Sequence, residues 1–329
     1  MIDRFGRQVD YLRVSVTDRC NLRCRYCTPR DGIRLLDKSQ VLSYEEILRV
    51  VRAGTGLGLG KVRLTGGDPL VRKGLTGFIA NLRLLDGIRE VVLTTNGLLL
   101  GEMAQELKEA GISRVNVSLD SLDPDRYAMI TRGGELGTVV DGILRAREAG
   151  LGVKLNVVVM RGVNEDEVAD FLEFGAQHGF EVRFLEFMPL VSGVRHRDYF
   201  VPLDAVLSRL QESVPLAYVG YDGVAKSYRY RGTRIGFIVP MTDPFCRRCS
   251  RLRLTAAGTL LPCLFAGSGV ELRPLLRSGA DDEQLAGAFA RAVALKPRAH
   301  HGQCEPAGIL PERGLSPKPE PLLMRQIGG

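Results

Sequence analysis

Tryptophan is absent from the 329 residues, and no block of consecutive lysines or arginines occurs. Nucleic-acid surfaces favour clustered basic residues interleaved with aromatics, so both absences argue against that role. No apolar run approaches the roughly 20 residues that span a bilayer. The opening "MIDRFGRQVDYLRVSV" lacks the apolar core of a secretory signal. The expectation is a cytoplasmic protein with neither nucleic acid nor membrane as partner. Charge of one sign is also in short supply: 45 Lys and Arg against 38 Asp and Glu leave +7. So modest an excess fits a polyanionic small molecule, a nucleic acid or no charged partner at all.

What the chain does have is seven cysteines, Cys20, Cys24, Cys27, Cys246, Cys249, Cys263 and Cys304. An odd count in a cytosolic protein argues against a disulfide framework and for metal or redox chemistry. Six of the seven fall into two triplets. Cys304 stands apart and reads as a structural thiol.

From residue 10 to 190, β-rich runs alternate with helical ones. "YLRVSVT" (11–17), "KVRLTGG" (61–67), "EVVLTTNG" (90–97), "RVNVSLDSL" (114–122), "GVKLNVVVM" (152–160) and "EVRFLEFMPL" (181–190) read as strands. Helices are expected at 43–58, where Ser43 and Glu46 have capping-box spacing, near 72–85, and at 101–111, 137–150 and 165–179. A β–α period of about 25 to 35 residues is the mark of a parallel sheet with crossover helices. Six units are fewer than the eight that close a TIM barrel. The fold class is therefore α/β, an incomplete (β/α)6 TIM-like barrel open at one side, with a C-terminal extension. The rhythm changes near 190, which divides the chain into a partial barrel (1–190), a C-terminal cysteine-bearing domain (191–296) and a Pro-rich tail (297–329). Within the second, 191–200 reads as a loop, 203–212 as a short helix, 227–240 as strand-like pieces, and 270–278 and 281–295 as helices. Six of the 16 prolines lie from Pro297 onward, so no regular helix or central strand is expected there.

The first triplet sits in "TDRCNLRCRYC" (17–27), spaced C-x3-C-x2-C directly after the first strand. Thiolates are the soft ligands that iron–sulfur clusters and zinc favour. A structural zinc site closes with four protein ligands, and no fourth Cys or His follows within a hundred residues. Three ligands leave one coordination position open, at the strand ends where barrel ligands collect. The plainer explanation is a buried or zinc-binding cysteine cluster.

The second triplet, in "DPFCRRCSRLRLTAAGTLLPCLF" (243–265), is spaced C-x2-C-x13-C around a hairpin. His300, His301 or Cys304 could complete a zinc site there, and that alternative stays open. Arg251 and Arg253 share one face of the first hairpin strand. Arg13, Arg63 and Lys154 lie within strands one, two and five. Facing inward, they would form a polyphosphate pocket; facing outward, they would be ordinary solvated charges. After strand two, "LTGGDPL" (64–70) offers backbone that a ligand could approach.

The first triplet, with Tyr26 before its last cysteine, resembles the radical S-adenosylmethionine superfamily. The likeness extends through "FGR", "VRLTGGDPLVR", "LTTNG", "RVNVSLDSL", "KLNVVVMRGVN", "FCRRCSRLRLTAAG" and the terminal "IGG", and within the superfamily resembles the GTP 3′,8-cyclase family. That resemblance implies two 4Fe–4S clusters and S-adenosylmethionine as cofactors. Cys20, Cys24 and Cys27 would hold the cluster that binds S-adenosylmethionine, contacted also by Tyr26, Gly67, Ser118 and Met188. Cys246, Cys249 and Cys263 would hold the cluster that anchors the purine of GTP. Arg13, Arg63, Thr94, Lys154, Arg251 and Arg253 would bind GTP. Gly328 and Gly329 would form a tail reaching the active site. The implied lyase reaction gives 3′,8-cyclo-7,8-dihydro-GTP, the first step of molybdenum cofactor biosynthesis, with no side chain as acid or base. An unspecified reductant protein and a downstream cyclic pyranopterin monophosphate synthase are the implied partners, and a homodimer is a candidate assembly. Asp68 departs from the family's GGE pattern by one methylene. Two rival readings are a radical S-adenosylmethionine enzyme with an auxiliary cluster acting on a peptide, and a non-enzymatic metal or electron-transfer protein.

Overall fold

The computed structural model describes residues 1–29, 31–190 and 196–300. Strand β1 (Tyr11–Ser15) is followed by helix α1 (Tyr44–Thr55), β2 (Lys61–Thr65), α2 (Leu75–Arg83), β3 (Glu90–Thr95) and α3 (Leu100–Glu109). Then come β4 (Arg114–Ser118), α4 (Pro124–Thr131), α5 (Leu136–Glu148), β5 (Gly152–Val159), α6 (Val168–His178) and β6 (Glu181–Glu186). The C-terminal part adds α7 (His196–Tyr199), α8 (Leu203–Gln211), β7 (Ala217–Asp222), β8 (Ala225–Tyr230) and β9 (Thr233–Ile238). It ends with β10 (Arg251–Leu254), β11 (Thr259–Leu261), β12 (Val270–Glu271), α9 (Arg273–Arg277) and α10 (Asp282–Ala294).

All these strands form one sheet, ordered β12-β11-β10-β1-β2-β3-β4-β5-β6-β9-β8-β7. The six central strands run parallel, as the β–α rhythm predicts. β10 joins β1 and β9 joins β6, both in parallel. Among the described residues the two outer strands do not pair, so the barrel is open.

Alternation on each strand separates two environments. Leu12, Val14, Val62, Leu64, Val91, Leu93, Val115, Val117, Leu155, Val157, Val182 and Phe184 are buried in one apolar core with the helices. The helices reach it through positions such as Ile47, Phe78, Leu107, Val139, Phe171 and Phe289. The opposite face of the same strands carries Arg13, Ser15, Arg63, Thr65, Thr94, Arg114, Asn116, Lys154 and Arg183, and lines a polar lumen.

Helix ends follow local chemistry. The Ser43–Glu46 capping box forms as the spacing predicts: Glu46 N–H donates to Ser43 Oγ and Ser43 N–H to Glu46 Oε2. Three expectations are corrected. The strand expected at 114–122 ends at Ser118, because Asp123 caps α4 with Pro124 in its first turn. The helix expected at 270–278 splits into β12 and the short α9. β7 is an additional edge strand, paired antiparallel to β8. In the segment expected as a loop, 191–195 lie outside the described residues and His196–Tyr199 is helical.

Candidate active site

The first cysteine triplet lies on the loop leaving β1. Backbone N–H groups of Arg23 and Arg25 donate to the Thr131 and Ile130 carbonyls at 3.2 and 2.9 Å. Cys27 and Thr28 N–H both donate to Cys24 O, curling the chain round the thiols. Cys20 Sγ accepts from Leu22 N–H at 3.4 Å and Asn96 Nδ2 at 3.6 Å. Burial pushes the Cys24 thiol well above its ordinary pKa, and Cys27, Asp120 and Cys20 push it further. A buried Cys24 thiol with two further thiols beside it needs a positive centre to deprotonate it. Tyr26 donates to Asp120 Oδ2 at 2.6 Å, and Val158 N–H donates to Asp120 Oδ1 at 2.8 Å. Burial raises Asp120 to about 6. Asp120 thus ties the cysteine loop to the ends of β4 and β5.

The glycine loop after β2 differs from expectation. A Cβ on Gly67 would lie 2.0 Å from Arg19 O, and one on Gly66, whose φ is +155°, would lie 2.4 Å from Thr17 O. These glycines admit the cysteine loop itself. Two amides of this loop are not open to a ligand as expected: Gly67 N–H donates to Thr17 O at 2.7 Å and Asp68 N–H to Arg19 O at 2.8 Å. Asp68, buried, accepts from Leu70 N–H, Thr95 Oγ1 and Asn96 N–H at 3.0, 2.8 and 2.6 Å. Burial nevertheless raises it to about 6. The shorter carboxylate joins the β2 and β3 loops.

In the lumen, Arg13 is registered against Arg253 on one side and Arg63 on the other. One pleat earlier, Tyr11 lies between Arg251 and Lys61. Arg63 donates to Thr94 Oγ1 at 3.2 Å and forms no ion pair among the described residues; its buried Nε has no hydrogen-bond partner. Burial lowers the pKa of Arg13 well below its ordinary value, with Arg253 and Arg63 adding to the fall. Burial likewise brings Arg253 down to about 10, helped by Arg251. Such crowding of like charges calls for an anion. Lys154 also reaches the lumen, but Glu181 (2.7 Å) and Asp222 (3.0 Å) engage it. Ser118 and Met188 are half-buried at and beyond the ends of β4 and β6.

Sequence reasoning missed Tyr11. Burial opposes ionisation of its phenol, yet Arg63, Arg13, Arg251 and Lys61 outweigh that and bring it to about 8. Its place between two basic lumen positions was the available signal.

The second triplet lies on the turn before β10 and just after β11. Buried Glu186 anchors the preceding loop, accepting from Met241 N–H (2.8 Å), Thr242 N–H (3.1 Å) and Thr242 Oγ1 (2.6 Å). Burial raises the Cys246 thiol, opposed by a backbone hydrogen bond from His300; neighbouring Cys263 and Cys249 add to the rise. Cys249 moves the other way. Burial raises its thiol, but Lys296, Arg251 and Arg253 outweigh it and bring the pKa below its ordinary value. No three His, Cys, Asp or Glu side chains among the described residues are gathered to hold a single metal ion. His301, Cys304, Gly328 and Gly329 lie outside the described residues. The His300 ring packs tilted against Phe265, with centroids 4.6 Å apart.

The family profile for the Radical SAM superfamily matches residues 14–175, and that for Molybdenum Cofactor Synthesis C matches 180–302. The GTP 3′,8-cyclase of Moorella thermoacetica is 44% identical over 335 residues, covering 100% of both chains. That of Pelotomaculum thermopropionicum is 48% identical over 310 residues, covering 92% of this chain and 95% of its own. The chain belongs to the GTP 3′,8-cyclase family. Among solved structures, Streptococcus suis SuiB bound to S-adenosylmethionine matches with TM-score 0.59 at 15% identity, covering 86% of this chain and 68% of that one. SuiB bound to its precursor peptide SuiA gives 0.61 at 15% identity, covering 86% and 66%. These likenesses show the partial-barrel fold. For this member of the cyclase family, no helix among the described residues is long and apolar enough to cross a membrane.

Proposed function

We propose that the chain converts GTP to 3′,8-cyclo-7,8-dihydro-GTP by radical S-adenosylmethionine chemistry, opening molybdenum cofactor biosynthesis. The observation that carries this reading is the row Arg253–Arg13–Arg63, set across three neighbouring strands between two cysteine triplets. Each thiol set suits a three-ligand iron–sulfur cluster, the first by the two thiols set beside the buried Cys24 and the second by the cations around Cys249. When bound, the clusters and S-adenosylmethionine supply one-electron radical chemistry that no side chain here can supply.

The chain's own residues orient and enclose. Cys20, Cys24 and Cys27 would hold the first cluster, and Cys246, Cys249 and Cys263 the second. Tyr26, Gly67, Ser118 and Met188 would line the S-adenosylmethionine site. Gly67, its amide already used, offers its carbonyl. Arg13, Arg63, Arg251 and Arg253 would hold the GTP phosphates and base, with Thr94 orienting Arg63. Lys154 would act chiefly through Glu181 and Asp222. The roles of Gly328 and Gly329 rest on the family resemblance alone. We assign the barrel to 1–190, the second-cluster domain to 191–296 and the tail to 297–329. A cytoplasmic setting, a reductant protein and a downstream synthase complete the proposal. The peptide-modifying alternative has only the shared fold in its favour, and a lumen lined with arginines suits a polyanion better.

The test uses anaerobically reconstituted protein given dithionite, S-adenosylmethionine and GTP. About eight irons per chain and GTP-dependent release of 5′-deoxyadenosine are expected. Cys24→Ala should abolish that release, whereas Cys249→Ala should keep uncoupled release and lose GTP conversion. Release indifferent to GTP in the parent protein would refute the substrate.

A further inference from the structure

Lys296 is one of the largest fully buried side chains, 2% exposed. It sits just past α10, which is packed into the core through Leu285, Ala288, Phe289, Ala292 and Val293. Its ammonium has three N–H donors, and three acceptors surround it: Arg251 O at 2.8 Å, Pro262 O at 3.1 Å and Cys249 Sγ at 3.6 Å. Those acceptors belong to a cysteine of the second triplet, to the strand that follows it, and to the residue before Cys263. Lys296 forms no salt bridge to a carboxylate among the described residues. A buried ammonium without a counter-charge is costly, so this position demands negative charge, and the thiolates are what it faces. Arg7 braces the same turn differently. It donates to Cys246 O and Pro297 O, both at 2.7 Å, and pairs with Asp3, so it meets carbonyls rather than sulfur.

We propose that Lys296 is the built-in counter-ion of the second cluster, donating an N–H···S hydrogen bond to Cys249 and raising that cluster's reduction potential. This rests on the reading that Cys246, Cys249 and Cys263 hold an iron–sulfur cluster. Reduction adds an electron to the cluster, and an adjacent ammonium stabilises the added negative charge; hydrogen bonds to cluster sulfur act in the same direction. Lys296 is a positioning residue, acting on GTP only through the cluster.

The experiment is a potentiometric titration of the full chain carrying Cys20→Ala, Cys24→Ala and Cys27→Ala, so that only the second cluster assembles. Iron content and the spectrum of the reduced cluster are followed. Lys296→Met and Lys296→Gln are expected to retain iron while the reduced-to-oxidised ratio at a fixed potential falls at least tenfold, a shift of about 59 mV for a one-electron couple. Lys108→Gln, on the exposed side of α3 and far from the triplet, should leave the midpoint where it is. An unchanged midpoint in an iron-loaded Lys296→Met or Lys296→Gln variant overturns the proposal alone. A parent that assembles no iron–sulfur cluster overturns both the proposal and the cluster reading. If neither neutral variant loads iron but Lys296→Arg loads it with the parent's midpoint, the need for a charge is supported. If none of the three loads iron, Lys296 is a structural brace and the proposal fails.

Discussion

Replacing Gly67 by alanine tests whether the glycine loop exists to admit the cysteine loop. The added carbon would meet Arg19 O at 2.0 Å, Arg19 C at 2.4 Å and Asp18 O at 2.9 Å, all of them backbone atoms that no rotamer change removes. Non-bonded heavy atoms rest near 3.5 Å, so the loop must retreat by roughly 1.5 Å. That retreat breaks the bonds Gly67 N–H to Thr17 O and Asp68 N–H to Arg19 O. Each is worth about 1 kcal/mol net, to which overpacking adds about 1–3 kcal/mol. A loss of about 3–5 kcal/mol is expected, together with a displaced Cys20. Gly77→Ala is the control. Gly77 is exposed in α2 with nothing within 4 Å of its would-be Cβ, and alanine there should gain about 0.5–1 kcal/mol. The assay is anaerobic denaturant unfolding, paired with iron loading of the first site in a chain lacking Cys246, Cys249 and Cys263. Equal midpoints for the two variants, or full iron loading by Gly67→Ala, would refute the reasoning.

Two further predictions concern the lumen. Tyr11, brought to about 8, should show a phenolate absorbance step near that pH that Tyr11→Phe lacks, and GTP should move the step upward by adding negative charge beside it. The sign for stability follows. The folded pKa lies below the unfolded value of 10, so Tyr11 contributes extra stability above pH 10 that is lost as pH falls through about 8; a Tyr11→Phe deficit independent of pH would contradict this. Arg63→Ala should weaken GTP binding by about tenfold to 150-fold, the range for a lost charged hydrogen bond of about 1.5–3 kcal/mol, with Arg63→Lys intermediate. Equilibrium dialysis showing affinity within twofold of the parent would exclude Arg63 from the site.

Much of this was legible in the sequence because it is local. Strand parity alone predicts that Arg251 and Arg253 share a face, and the register against Tyr11 and Arg13 bears it out. The six-strand barrel follows from the spacing of apolar runs. What escaped was non-local or ambiguous. α4 was concealed because "NVSLDSL" continues an alternating pattern past the real strand end, and only the Asp123 cap interrupts it. The role of Gly66 and Gly67 depends on which backbone approaches them, and no spacing encodes that. The burial of Lys296 arises from contacts with residues 34 to 47 positions away, which no local pattern records.

The pairing of β10 with β1 turns two separate cysteine triplets into one site. Cys249 lies two residues before Arg251, which is level with Tyr11 at the start of β1; Cys20 lies five residues beyond Ser15 at its end. The two thiol sets therefore stand at opposite ends of one strand pair. Four residues of rise between Tyr11 and Ser15 separate them by roughly 13 Å before either loop is counted. A ligand touching both must lie along the strands, passing over the Arg13–Arg253–Arg63 row. The main apolar core is on the far face of the sheet, and on the lumen face the path is lined chiefly by polar and basic side chains, with Val92 beside Arg63 an apolar exception. An elongated polyanion suits a row of three guanidiniums better than a peptide, whose amides are uncharged. The same topology explains why the second triplet needs its own braces. β10 is only four residues long, and the segment that precedes it is steadied by Glu186, Arg7 and Lys296, one from the barrel, one from the N-terminal segment and one from just past α10.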